Sequence, residues 1–64
     1  MNNNIVLEFY YLAMQDITDG VSIEELEATI KIYEADENFE ACAGILKAIN
    51  EAKYTTIKTL KNGH

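Results

Sequence analysis

The sequence predicts an all-α fold, a small three-helix bundle built on an antiparallel helical hairpin. Three observations predict it. Apolar residues recur at steps of three and four through three successive segments, each segment opens behind a residue whose side chain caps helices, and the connections are short and polar. Connections that short force sequential helices to run antiparallel. The chain has 64 residues, of which 48% are hydrophobic and 25% charged. That is too apolar for a disordered tail, so one compact helical domain, residues 1 to 64, is expected.

The first helix is placed at about residues 4 to 18. Asn2, Asn3 and Asn4 offer cap side chains in front of it. Asn4, Glu8, Tyr11 and Gln15 form a narrow polar stripe, while Ile5, Val6, Phe9, Tyr10, Leu12, Ala13 and Ile17 cover the rest of the circumference. A strand over Ile5 to Leu12 is the competing reading, since β-branched and aromatic residues are dense there, but alternation fails at Tyr10-Tyr11. Gly20, after Thr18-Asp19, is free to take the left-handed conformation that closes a helix.

The second helix is placed at 23 to 35. Ser22-Ile23-Glu24-Glu25 is a capping box, with Val21 and Leu26 at the hydrophobic staple positions. Glu24, Glu25 and Glu27 lie where the helix dipole favours negative charge. Ile23, Leu26, Ile30 and Tyr33 make the core stripe. Glu24, Glu27, Lys31 and Glu34 face water, with Glu27 and Lys31 spaced as an ion pair along the helix.

The third helix is placed at 39 to 58, with Asn38 as its cap and residues 61 to 64 as a tail. Cys42, Leu46, Ile49, Ile57 and Leu60 line one face, and Ala41, Ile45, Ala48 and Ala52 line the adjoining arc. A helix apolar over so wide an arc packs between two neighbours, and its small residues permit close approach. Thr55-Thr56-Ile57-Lys58-Thr59 is a poorer helix former, so beyond Lys53 the helix is expected either to fray or to continue only where a partner holds it.

Residues 23 to 52 resemble the UVR motif, the helical hairpin of the excision-repair proteins UvrB and UvrC and of some Clp-protease regulators. The resemblance rests on Ile23-Glu24-Glu25-Leu26-Glu27 and on Asn38-Phe39-Glu40-Ala41-Cys42-Ala43-Gly44-Ile45-Leu46-Lys47-Ala48-Ile49. The sequence departs from the motif where Leu46-Lys47 replaces an Arg-Asp pair and where Gly44 replaces a long polar residue. The resemblance implies a non-catalytic module that associates with another hairpin.

Composition excludes several functions. No apolar run approaches the roughly 20 residues of a membrane span. The start Met-Asn-Asn-Asn lacks the basic region of a secretory signal. A cytoplasmic, or intracellular and virion-associated, location is expected. Cys42 is the single cysteine, so neither an internal disulfide nor a cysteine-rich zinc site can form. It reads as a small core residue, and His64, the only histidine, lies at the terminus. No catalytic, metal or cofactor residues are expected.

Charge is uneven. Residues 1 to 40 carry ten carboxylates against Lys31, a balance of −9, whereas residues 41 to 64 carry four lysines against Glu51, a balance of +3. With no arginine and few lysines, direct nucleic-acid binding is not expected.

A core below about 70 to 80 residues rarely supplies more than roughly 3 to 5 kcal/mol, which favours self-association or a larger partner. The leading expectation is therefore a protein-interaction module, a homo-oligomer or a subunit of an assembly. Its surface is assigned to Tyr33, Phe39, Ile45, Ala48, Ala52, Ile57 and Leu60. Glu24, Glu27, Glu34 and Glu37 mark an alternative, an acidic phage-type inhibitor that mimics nucleic acid against a host protein. A minor structural component of a virion or other particle is a further alternative.

Overall fold

A computed structural model of the chain describes residues 1 to 62, with side chains through Thr55. It contains α1 (Asn3–Thr18), α2 (Ile23–Ala35) and α3 (Phe39–Asn62), and no strand among the described residues. The expected all-α three-helix architecture is present. The strand alternative for Ile5 to Leu12 is excluded by α1.

Each boundary has a local cause. Asn2 caps α1, its Oδ1 accepting from the Asn4 amide at 2.9 Å and the Ile5 amide at 3.4 Å. Ser22 caps α2, its hydroxyl accepting from the Glu25 amide at 3.1 Å. Asn38 caps α3, accepting from the Ala41 amide at 3.3 Å. These bonds occupy amides that a helix start leaves without intrahelical partners.

Helices α1 and α2 both end in Schellman turns. Gly20 and Val21 donate back to Ile17 and Asp16, and Glu37 and Asn38 donate back to Glu34 and Tyr33. The left-handed position is filled by Gly20 in the first turn, at φ 95°, and by Glu37 in the second, at φ 58°.

The third helix runs to Asn62 instead of stopping near 58, which also moves Lys61 and Asn62 out of the expected tail. No proline or glycine interrupts the chain between Ile45 and Asn62. Extending a formed helix through threonines costs only tenths of a kcal/mol per residue, far less than starting one.

The contacts give an up-down-up arrangement centred on α3. Going up α1, Asn2 reaches Glu40, Val6 and Phe9 reach Gly44, and Tyr10 reaches Glu51, so α1 runs parallel to α3. Going up α2, Glu27 pairs with Lys53 and Ile30 with Cys42, so α2 is antiparallel. Among the described residues the core is Ala13, Leu26, Ala41, Ile45, Ala48 and Ile49, all buried, and α3 supplies the last four. Phe9, Tyr10, Met14, Ile17, Val21, Ile23, Ile30 and Tyr33 pack around it, half-buried.

Candidate interaction surface

The inner face of α3 is built from small residues because a helix backbone lies directly on it. A Cβ placed on Gly44 would stand 2.8 Å from both the Tyr10 amide nitrogen and Phe9 Cβ, and closer still to the Val6 carbonyl oxygen. Only glycine fits there. Ala41, three residues earlier, and Ala48, four later, extend the seam and are fully covered.

This placement corrects the expected interaction surface. Ile45 and Ala48 are only 4% and 0% exposed, so both are core residues already covered in cis by α1 and α2. Ala52 is half-buried on the same side. Tyr33 is half-buried as well, its ring meeting Phe9 edge to face at 5.4 Å and so joining α2 to α1. The side chains of Ile57 and Leu60 lie outside the described residues. Of the residues assigned from sequence, Phe39 is the described one that stays open, at 54% exposure beside the α2–α3 turn.

Apolar side chains meet solvent along the outer face of α3, as Tyr11 and Leu12 do on α1 and Ile32 on α2. Ala43, Leu46, Lys47, Asn50, Glu51 and Tyr54 line a shallow open groove along it. Leu46 is 50% exposed and Tyr54 66%. The sequence pattern groups Leu46 with Cys42 and Ile49 on one face, but Ile49 is buried while Leu46 is exposed, and the pattern does not single out this stripe. The missed signal was the recurrence of positions 43, 46, 50 and 54 at steps of three, four and four. That stripe lies across the helix from the Ala41-Gly44-Ala48 seam.

One edge of the groove is tied to α1. The Tyr10 hydroxyl donates to the Glu51 carboxylate, and Lys47 Nζ lies 5.3 Å from the Tyr10 ring centroid, within cation–π range. That hydrogen bond to Glu51 holds the Tyr10 phenol above its ordinary value of 10.0, with desolvation and the charge of Glu51 adding to it. Lys47 and Glu51 thus stand in fixed positions beside Leu46 and Tyr54.

The acidic residues assigned from sequence lie on α2 and in the turn that follows it. Glu24, Glu27 and Glu34 are exposed on α2, but Glu37 lies in the turn at φ 58° and is not on the helical face. Glu27 lies 3.7 Å from Lys53 on α3 instead of pairing with Lys31 along its own helix. Both side chains of that ion pair are more than half exposed, so the pair contributes little stability.

Cys42 is half-buried against α2, its thiol donating to the Ile30 carbonyl at 3.5 Å. Burial pushes the thiol above its ordinary 9.0, the Glu34 carboxylate adds to the rise, and a backbone hydrogen bond offsets part of it. A thiol held protonated is a poor nucleophile. Among the described residues no group of three or more His, Cys, Asp or Glu side chains is placed to hold a metal ion, and no helix is long and apolar enough to cross a membrane.

Comparison with known proteins returns no match to any family, to any curated protein or to any solved structure.

Proposed function

We propose that this protein is a small non-catalytic protein–protein interaction module that works through the outer face of α3. The observation that carries the reading is that α3 is apolar on two sides. Its inner side is used up by α1 and α2, while Leu46 and Tyr54 remain half or more exposed on the other. Aromatic and aliphatic side chains in a groove with a polar rim are the usual anchors of protein interfaces. The core supports the same reading, because among the described residues three of the six buried side chains are alanines. A chain with so little buried apolar volume gains stability from any partner that covers more. The UVR resemblance agrees in kind, since that motif is an association hairpin, although here α1 covers the inner face of the hairpin. The protein is assigned to the cytoplasm or to the interior of a particle.

A photo-crosslinking residue placed at Leu46 or at Tyr54 in the producing cell tests the reading. Both positions are expected to give a discrete product of higher mass, and Glu24 and Glu34 on α2 are expected to give none. The absence of a discrete product at both α3 positions overturns the proposal. Products from Glu24 and Glu34 alone transfer the function to the acidic face, as the nucleic-acid-mimic alternative requires, with binding that weakens steeply as salt is added.

A further inference from the structure

We infer that the partner on the outer face of α3 is a second copy of this chain, docked antiparallel with its twofold axis passing beside Asn50. The inference rests on the reading of that face as an interaction surface and names its occupant. The groove is self-complementary about one residue. Leu46 and Tyr54 stand four positions before and four after Asn50, on the same stripe and both exposed. Turning a second copy about an axis at Asn50 therefore lays Leu46 of each chain against Tyr54 of the other.

Charge selects the same register. A twofold axis across two antiparallel helices brings each flank of one helix against the same flank of the other, with the order reversed. Lys47 and Glu51 share one flank of the groove, a single turn apart. The antiparallel arrangement sets Lys47 of one copy beside Glu51 of the other, and does so twice. A parallel twofold pairing would instead carry the Lys47–Glu51 flanks of the two copies to opposite edges of the seam, where neither ion pair can form. The flank is also preorganised, because Tyr10 holds both side chains from below.

Asn50 supplies the register. It is the polar residue in the middle of the stripe, exposed and flanked by Leu46 and Tyr54. On the axis its amide meets its own copy, where each carboxamide donates to and accepts from the other. An Asn in an apolar helix seam satisfies its hydrogen bonds in one alignment alone, and so penalises slipped pairings. The helix macrodipoles are opposed in this arrangement, which favours it further.

The distances provide the test. Helix axes that pack at about 8 to 10 Å leave facing Cα atoms about 4 to 5 Å apart, given the roughly 2.3 Å backbone radius. Disulfides form at such separations and fail beyond about 7 Å. In a Cys42→Ala background, Asn50→Cys is expected to form a symmetric disulfide dimer under mild oxidation. Tyr54→Cys alone is expected to form none, because its two copies lie about 12 Å apart along the axis. A mixture of Leu46→Cys chains with Tyr54→Cys chains is expected to cross-link. Without any cysteine substitution, Leu46→Asp should raise the dimer dissociation constant at least about tenfold by sedimentation equilibrium while leaving helicity unchanged.

A dimer in solution that fails to cross-link through Asn50→Cys overturns the inferred register. A chain that stays monomeric up to about millimolar concentration overturns the second copy as occupant. A photo-crosslink from Leu46 to a protein of another mass has the same effect, but it leaves the interaction-module reading standing.

Discussion

Helix α3 meets its two neighbours in opposite ways. Against α1 the contact is made by what is absent: Gly44, Ala41 and Ala48 let the α1 backbone rest on the α3 backbone. Against α2 the contact is made by what is present, with Leu26 buried and Ile30 and Tyr33 packed around it. The first seam is governed by distance and the second by volume. A close-packed interior tolerates neither a void nor an overlap, so the two seams should fail under opposite substitutions.

The largest effect is expected from enlarging Gly44. Two of the three atoms that a new Cβ would meet belong to the α1 backbone and cannot turn aside. Gly44→Leu should separate α1 from α3, with a loss of at least about 3 kcal/mol. Gly44→Ala is the sharper test, because helix propensity alone predicts a gain of about 1 kcal/mol from that change in a helix interior. Here the overlap should win and leave the variant about 1 to 3 kcal/mol less stable. Chemical denaturation followed by circular dichroism reads the sign, and a stabilised Gly44→Ala protein would show that the α1 backbone does not lie on Gly44.

The α2 seam should break on truncation. Leu26 is the α2 side chain that is fully covered, and Leu26→Ala removes its packing and leaves a void. The expected cost is about 2 to 4 kcal/mol, most of what so small a core supplies. Leu26→Met keeps the volume and should cost less than about 1.5 kcal/mol. If Leu26→Met proved as damaging as Leu26→Ala, shape rather than volume would control this seam as well, and the contrast with Gly44 would disappear.

These two seams also separate what the sequence displays from what it conceals. The helix starts and the first two helix ends were legible because they are local: the Ser22 cap, the Asn38 cap and Gly20 each act within four residues of their own position. So was the α2 core stripe, since Leu26, Ile30 and Tyr33 are large and evenly spaced. The orientation of α3 was not legible, because two apolar arcs compete there. Counting hydrophobic size favours Leu46 for the interior, yet Leu46 is exposed while Ala41 and Ala48 are covered. Small side chains become interior when another backbone comes close; the alanines and Gly44 of α3 allow such an approach, but nothing local to α3 says which arc receives α1. The exposed stripe through Leu46, Asn50 and Tyr54 was hidden for the same reason. The end of α3 was placed too early, because threonine propensity was weighed residue by residue while an established helix propagates cheaply.

The smallest expected effect concerns how α2 is delivered to its seam. The two connections use the same hydrogen-bond pattern, but Gly20 fills the left-handed position after α1 and Glu37 fills it after α2. A residue with a Cβ pays about 1 to 2 kcal/mol to hold that conformation, whereas glycine holds it freely but loses about 0.5 to 1 kcal/mol more chain entropy on folding. Gly20→Ala should therefore destabilise by about 1 kcal/mol, with no steric contribution, since nothing lies within 4 Å of a Cβ built there. Glu37→Gly should stabilise by about 0.5 kcal/mol. Its charge lies between the negative end of α2 and the positive start of α3, where the two dipoles largely offset, so backbone strain decides the outcome. Glu37→Gln separates the terms, because it removes the charge and keeps the Cβ. A gain with Gln as large as that with Gly would assign the effect to electrostatics, and no gain with Gln would leave the left-handed backbone at residue 37 as its cause.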